Sequence, residues 1–219
     1  MEKCEMFPFI DHTLLKQDAT WQQIRELCQE GMDYGVASVC IPPSFVLQAA
    51  DFVQGKVPIC TVIGFPNGYQ STAVKVFEAA QAVKDGASEV VMVIHIGRVK
   101  EGRFDDVLQE INAVKEACGE KILKVIIETC LLTEEEKITL CQLVSRSKAE
   151  FIKTSTGFAG GGATLADIRL FREHVSNGTK IKAAGGIKTV KDAEDFLAAG
   201  AERLGTSSLL ALLRKEMKG

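Results

Sequence analysis

The feature that most constrains this chain is a repeated alternation. A short apolar, β-branched run is followed by an amphipathic run, eight times over, at intervals of roughly 20 to 30 residues, the spacing of βα units. The strand runs are read at 7–11, 36–41, 58–65, 89–96, 121–129, 151–156, 180–184 and 203–206. Between them lie helix signals. Thr20 and Gln23 have capping-box spacing, Ile24, Leu27 and Cys28 share the face that follows, and Gly35 closes that helix. Pro42 and Pro43 break the second strand pattern before a helix from Ser44 to Val53. The third helix is expected to bury a stripe of Ala73, Val76, Phe77, Ala80 and Val83 and to end at Gly86. A helix from about Arg103 has Gly119 beyond its end, and Thr133 with Glu136 repeats the capping-box spacing. The remaining helices are read at 164–174, at 189–199 and from Ser207 onward.

Eight consecutive units with no antiparallel hairpin signal predict an α/β fold, a (β/α)8 TIM barrel forming one domain over 1–219. A doubly wound sheet is the rival, and strand parity weighs against it. In a barrel the outward face must be apolar to meet the helices, while inward residues near the C-terminal rim are free to be polar. Leu123, Val125 and Ile127 form such an outward face, which turns Lys124 and Glu128 inward. The same parity sends in Asp11 and Thr13, Ser38 and Cys40, Val91, Val93 and His95, Lys153 and Ser155, and Lys180 and Lys182. Six strands thus contribute to one polar interior.

Composition narrows the partner. With 25% charged residues and a net charge of −3, the chain has no basic excess to suit nucleic acid or an acidic membrane surface, so a small molecule is expected. The seven cysteines are scattered and never form a CxxC pair, which predicts reduced thiols in a cytoplasmic protein. No window approaches the 18 apolar residues of a membrane span, and the N-terminus lacks a long apolar leader.

Two lysines stand where cations are unusual. Lys153 sits in FIKTSTG at 151–157 and Lys182 in KIKAAGG at 180–186, each inside a strand pattern with a glycine-rich exit. A lysine at a strand end can be a plain surface residue, so Lys153 alone decides little. Sequence-adjacent strands of a barrel pair at about 4.8 Å, however, which brings the two ammonium groups within mutual influence. Desolvation and a neighbouring cation both favour the neutral amine, and a neutral amine attacks carbonyls to form a Schiff base. Asp11 and Glu128 are candidate counterions. Gly157, Gly185, Gly186, Ser207 and Ser208, at the ends of strands six to eight, offer N–H groups and hydroxyls beside a helix start, where barrels of this kind often hold phosphate. The same glycines also suit tight βα turns.

The runs IDHTLLK, VASVCIPPSF, VIGFPNGYQSTAVKVFEA, KVIIETCLLT, EFIKTSTGF, IKAAGGIKTVKDA and RLGTSS resemble the deoxyribose-phosphate aldolase family along nearly the whole chain. That resemblance implies a cofactor-free class I aldolase acting reversibly between 2-deoxyribose 5-phosphate and acetaldehyde plus glyceraldehyde 3-phosphate. It implies Lys153 as the imine-forming lysine, Lys182 as its charged partner, and Asp11, Thr13 and Cys40 in support. Lys124 and Ser155, turned inward by parity, join the substrate-binding candidates, and a homodimer or higher homo-oligomer is left open. One departure matters. The family's strand-four motif carries a proton-transfer aspartate where this chain has Val91, and His95 stands where asparagine is usual. Valine moves no proton. His95 shares the inward parity of Val91 but lies four residues, about 13 Å, nearer the rim, so it is expected to relay through water. Pro42 also replaces a common asparagine, and the tyrosine-ended tail of some relatives is missing. The alternatives to an active aldolase are a sugar-phosphate-binding paralogue with weak or no activity, and an aldolase with altered donor or acceptor preference.

Overall fold

A computed structural model describes residues 3–217. Eight parallel strands close in sequence order: β1 (Ile10–Thr13), β2 (Ser38–Ile41), β3 (Ile59–Ile63), β4 (Glu89–Val93), β5 (Ile122–Ile126), β6 (Phe151–Lys153), β7 (Lys180–Ala184) and β8 (Arg203–Thr206). Pairing of β1 with β8 seals the ring, so the doubly wound alternative is excluded. Around it run α1 (Trp21–Tyr34), α2 (Val46–Val53), α3 (Thr72–Lys84), α4 (Ile96–Lys100), α5 (Phe104–Cys118), α6 (Glu134–Arg146), α7 (Leu165–His174), α8 (Val190–Ala198) and α9 (Leu209–Met217).

The capping signals form as read. Thr20–Gln23 and Thr133–Glu136 make reciprocal boxes at the starts of α1 and α6, and α8 opens on a third from Thr189 and Asp192. Gly35 ends α1 at φ 64°, a left-handed value that a side chain would strain. Several strands are shorter than expected. Residues Lys3–Phe9 are a 3-10 helix rather than the start of β1, because Pro8 has no N–H for a ladder while Met6 and Phe7 are buried. Strand β4 stops at Val93 and the chain turns into α4; β5 stops at Ile126, with Glu128 at φ 57°. A 3-10 turn, Pro43–Phe45, precedes α2.

Strand parity builds two separate apolar bodies. Val90, Met92, Leu123, Val125, Ile152, Ile181 and Leu204 face outward into the main core against the helices. Each such buried side chain contributes about 1.5–3 kcal/mol of transfer free energy. Inside the barrel, Cys40, Cys60, Val62, Val91, Val93 and Ile126 make a smaller cluster on β2 to β5.

The expected stripe of α3 is buried only in part, with Val76 and Val83 packed against the core. Lys75, Ala79 and Ala82 point inward, whereas Ala73 and Ala80 are exposed and Phe77 is 70% exposed. The cause is an ion pair that an apolar count cannot register. Lys75 Nζ donates to Glu110 Oε2 on α5 at 2.8 Å and to the Val93 carbonyl at 2.8 Å, so its burial is compensated. Among the described residues no helix is long and apolar enough to cross a membrane.

Candidate active site

Three strands bring the two lysines to a carboxylate. Lys153 and Lys182 are directly paired across β6 and β7, and Lys182 precedes Arg203 across β8 in the same row. Lys182 Nζ pairs with Asp11 Oδ2. Lys124 Nζ lies 2.5 Å from the same oxygen and 2.5 Å from Glu89 Oε2. Arg203 Nη1 donates to Asp11 Oδ1 at 2.6 Å and reaches Glu89 at 3.2 Å, while Ser38 Oγ donates to Asp11 Oδ1 at 2.7 Å. Burial alone would raise the Asp11 pKa, but Lys124, Lys182 and Arg203 hold it well below the usual carboxylate range. Burial works against the Lys124 ammonium too, yet Asp11, Cys60 and Glu89 keep its pKa above the ordinary value.

Lys153 stands at the edge of this network without a share in it. Among the described residues no carboxylate pairs with its amine, which is only 4% exposed. Three cations against two carboxylates leave the network one positive charge in excess, so a further ammonium is repelled. Burial first, and the charge of Lys182 second, bring Lys153 from 10.5 down to about 7. Asp11, Cys60 and Glu89 have ligand atoms within 4.8 Å of one another, the spacing of a metal site. Lys124 already contacts both carboxylates, so protein cations fill the place a metal ion would take.

The amine opens onto a cavity of about 280 Å³ at the C-terminal end of the barrel, lined by Thr13, Lys153, Gly157, Gly185, Gly186 and Ser207 among others. Gly157, Gly185 and Gly186 have φ of 86°, 78° and 79°, which frees their backbone to face the cavity. The loop 157–163 is fixed over them. Ala163 N donates to the carbonyls of Ala184 and Gly185, and a Cβ on Gly162 would come within 2.7 Å of the Gly185 carbonyl carbon.

Not every expected residue joins this cavity. His95 sits beyond β4 as the N-cap of α4, its Nδ1 accepting the Arg98 N–H at 3.3 Å, and it does not line the cavity. Ser208 directs its hydroxyl to the Ile187 carbonyl. The last helix begins at Leu209, not Ser207, and Thr206 Oγ1 already accepts the N–H groups of Ser208 and Leu209. Lys124 lies within the ion network beneath the cavity, and Lys180 is exposed at the start of β7 over the Phe151 ring. Glu128 is no counterion for the lysines; it accepts from Thr156 N and Oγ1. Cys40 is buried in the interior cluster and Ser155 is buried with its hydroxyl unpartnered. Glu89, Arg203 and Cys60 were not expected. Glu89 was legible, since it precedes Val91 by two residues and so shares its face.

The comparisons agree on one family. The model of the DeoC/LacD family aldolases matches residues 6–215. A deoxyribose-phosphate aldolase of Clostridioides difficile (strain 630) is 56% identical over 207 residues, 94% of each chain. A solved structure from Coccidioides immitis superposes with a TM-score of 0.95 at 42% identity, covering 99% of this chain and 87% of that one. A deoxyribose phosphate aldolase from Aeropyrum pernix, described as having a unique tetrameric structure, gives 0.88 at 29% identity, covering 98% and 92%.

Proposed function

Because this chain belongs to the DeoC/LacD family of aldolases, we propose that it cleaves 2-deoxy-D-ribose 5-phosphate reversibly to acetaldehyde and D-glyceraldehyde 3-phosphate through an imine on Lys153. The observation that carries this reading is the contrast between two paired lysines. Lys182 is committed to Asp11, whereas Lys153 is buried, unpaired and held near neutrality, half of it a free amine at about pH 7. That amine adds to the aldehyde carbonyl, and loss of water gives an iminium that withdraws electrons from the adjacent carbon–carbon bond. Gly157, Gly185, Gly186 and Ser207 line the part of the cavity suited to the phosphate, with backbone N–H groups as donors. Thr13, which donates to the Asp11 carbonyl at 2.8 Å, borders the sugar.

The assembly and setting follow the same reading. The Aeropyrum pernix relative is described as tetrameric, and Tyr69, Val74 and Phe77 expose an apolar face around the start of α3, which supports a homo-oligomer; the scattered, unpaired cysteine pattern is what supports the cytoplasm as its setting. The direct test is reductive trapping. Borohydride added with acetaldehyde or deoxyribose 5-phosphate is expected to leave one mass adduct, mapped to the peptide containing Lys153 and missing in Lys153→Met. An adduct confined to another lysine, or none with either compound, overturns the assignment.

A further inference from the structure

One buried carboxylate takes no part in the ion network. Glu128 is 2% exposed, and among the described residues no lysine or arginine pairs with it. Burying an acid is unfavourable unless its oxygens are hydrogen-bonded. Its backbone is unfavourable too: at φ 57° and ψ 68° it lies in the left-handed region that favours glycine. Gln54 and Asn177, the other non-glycine residues with positive φ among those described, are both exposed. Strain at a buried position persists only where the surroundings hold it, and it gathers at functional sites.

The short bonds of this carboxylate all go to one residue at the exit of β6. Thr156 N donates to both oxygens at 3.2 Å, and Thr156 Oγ1 donates to Oε2 at 2.5 Å, whereas Cys130 Sγ comes no nearer than 4.0 Å. With its proton turned to Glu128, Thr156 Oγ1 accepts the Phe158 N–H at 3.0 Å. Thr156, Gly157 and Phe158 all line the cavity onto which Lys153 opens. Gly157, in the middle, has φ 86° and no side chain of its own to fix it, so its neighbours set where its N–H stands. Phe158 meets Phe65, which follows β3, edge to face with ring centroids 5.2 Å apart, and Phe65 packs on the interior cluster that contains Val91.

We infer that Glu128 is a positioning residue of the substrate cavity. From the exit of β5 it holds Thr156, and through Thr156 it fixes the Gly157 N–H and the Phe158 ring. This rests on the aldolase reading above, in which Gly157 serves the phosphate. Glu128 does not itself line the cavity, so its whole effect passes through Thr156. Because backbone and hydroxyl of Thr156 both donate to it, the carboxylate sets the direction of that side chain as well as the course of the chain.

The test compares the phosphorylated substrate with a donor that has no phosphate. Glu128→Ala and Thr156→Val are each expected to raise KM for deoxyribose 5-phosphate about tenfold, the effect of one misplaced hydrogen bond to a charged group, with kcat within about threefold. Borohydride trapping of acetaldehyde on Lys153 is expected to change less than about twofold in both. Combined, the two substitutions are expected to raise KM no further than either alone, because they break the same link. Thr156→Ser, which keeps the hydroxyl, is expected to recover most of what Thr156→Val loses. A KM within twofold of the unaltered chain in Glu128→Ala overturns the proposal. So does a double variant whose rise in KM is the product of the two, and so does a parallel loss of trapping and cleavage, which marks a role in the fold alone. Should Glu128→Ala fail to fold, Glu128→Gln takes its place: its amide cannot accept at both positions, so KM is expected to rise at least threefold, and a smaller rise overturns the proposal. An unaltered chain that neither traps acetaldehyde nor cleaves deoxyribose 5-phosphate means that the aldolase reading has failed and this proposal with it, a result distinct from those seen in the variants.

Discussion

Replacing Lys182 with methionine tests the electrostatic origin of the reactive amine. Two unit charges about 6 Å apart, the separation that paired strands allow, repel by about 3 kcal/mol at an effective dielectric of about 20. That corresponds to about 2 pKa units. Methionine removes this repulsion and leaves Asp11 with Lys124 and Arg203, so no buried charge is orphaned and the barrel should still close. Asp11 also becomes freer to stabilise a cation at Lys153. The midpoint for the amine should therefore climb from about 7 by one to two units, but not return to 10.5, because burial is the larger cause of the depression. At pH 7 the free-amine fraction falls from about one half to between about 1% and 10%. The assay is the initial rate of borohydride trapping with acetaldehyde from pH 5 to 10. A midpoint unmoved by the substitution would refute the claim that Lys182 acts through its charge, even if turnover fell.

Lys153 should cost the fold stability. Its folded pKa of about 7 lies below the unfolded value near 10.5, so the unfolded chain binds more protons between those limits and stability rises with pH across that window. Lys153→Met should then be the more stable protein by several kcal/mol at and below about pH 7, with the advantage fading towards pH 10.5; denaturant midpoints at pH 6 and pH 10 that differ equally between the two proteins would contradict this. Gly162→Ala should push its new methyl against the Gly185 backbone and raise KM for deoxyribose 5-phosphate about tenfold, while acetaldehyde trapping on Lys153 changes less than twofold. Steady-state kinetics with an unchanged KM would mean that the loop 157–163 does not set the position of Gly185.

The barrel was legible because its signals are local and repeated: eight apolar runs, capping pairs at Thr20 and Thr133, and alternation that sends Lys124, Lys153 and Lys182 inward. What escaped depends on partners distant in sequence. The buried face of α3 is decided by Glu110, 35 residues beyond Lys75, and no apolar periodicity reports an ion pair. His95 has inward parity only if the strand continues, and the chain leaves β4 at Val93 to cap a short helix with that residue. Arg203 opens a strand of four residues, too short for its parity to announce a role, yet it touches Asp11 across 192 positions. Cys60 drew no attention because only the pairing of β2 with β3 sets it opposite Cys40.

Val91 has two effects that act together. An aspartate there, as the family resemblance implies, would place a third carboxylate beside the three cations of the network and cancel their excess. Valine removes a proton carrier, but it also leaves that excess uncancelled next to Lys153. Positive charge favours the neutral form of an amine, the state that attack on a carbonyl requires. The same substitution that deprives the chain of a carboxylate therefore also favours the free amine of Lys153. Restoring the acid with Val91→Asp would return the carrier and cancel the excess, so the change in turnover would be the difference between a gained proton carrier and a more heavily protonated Lys153.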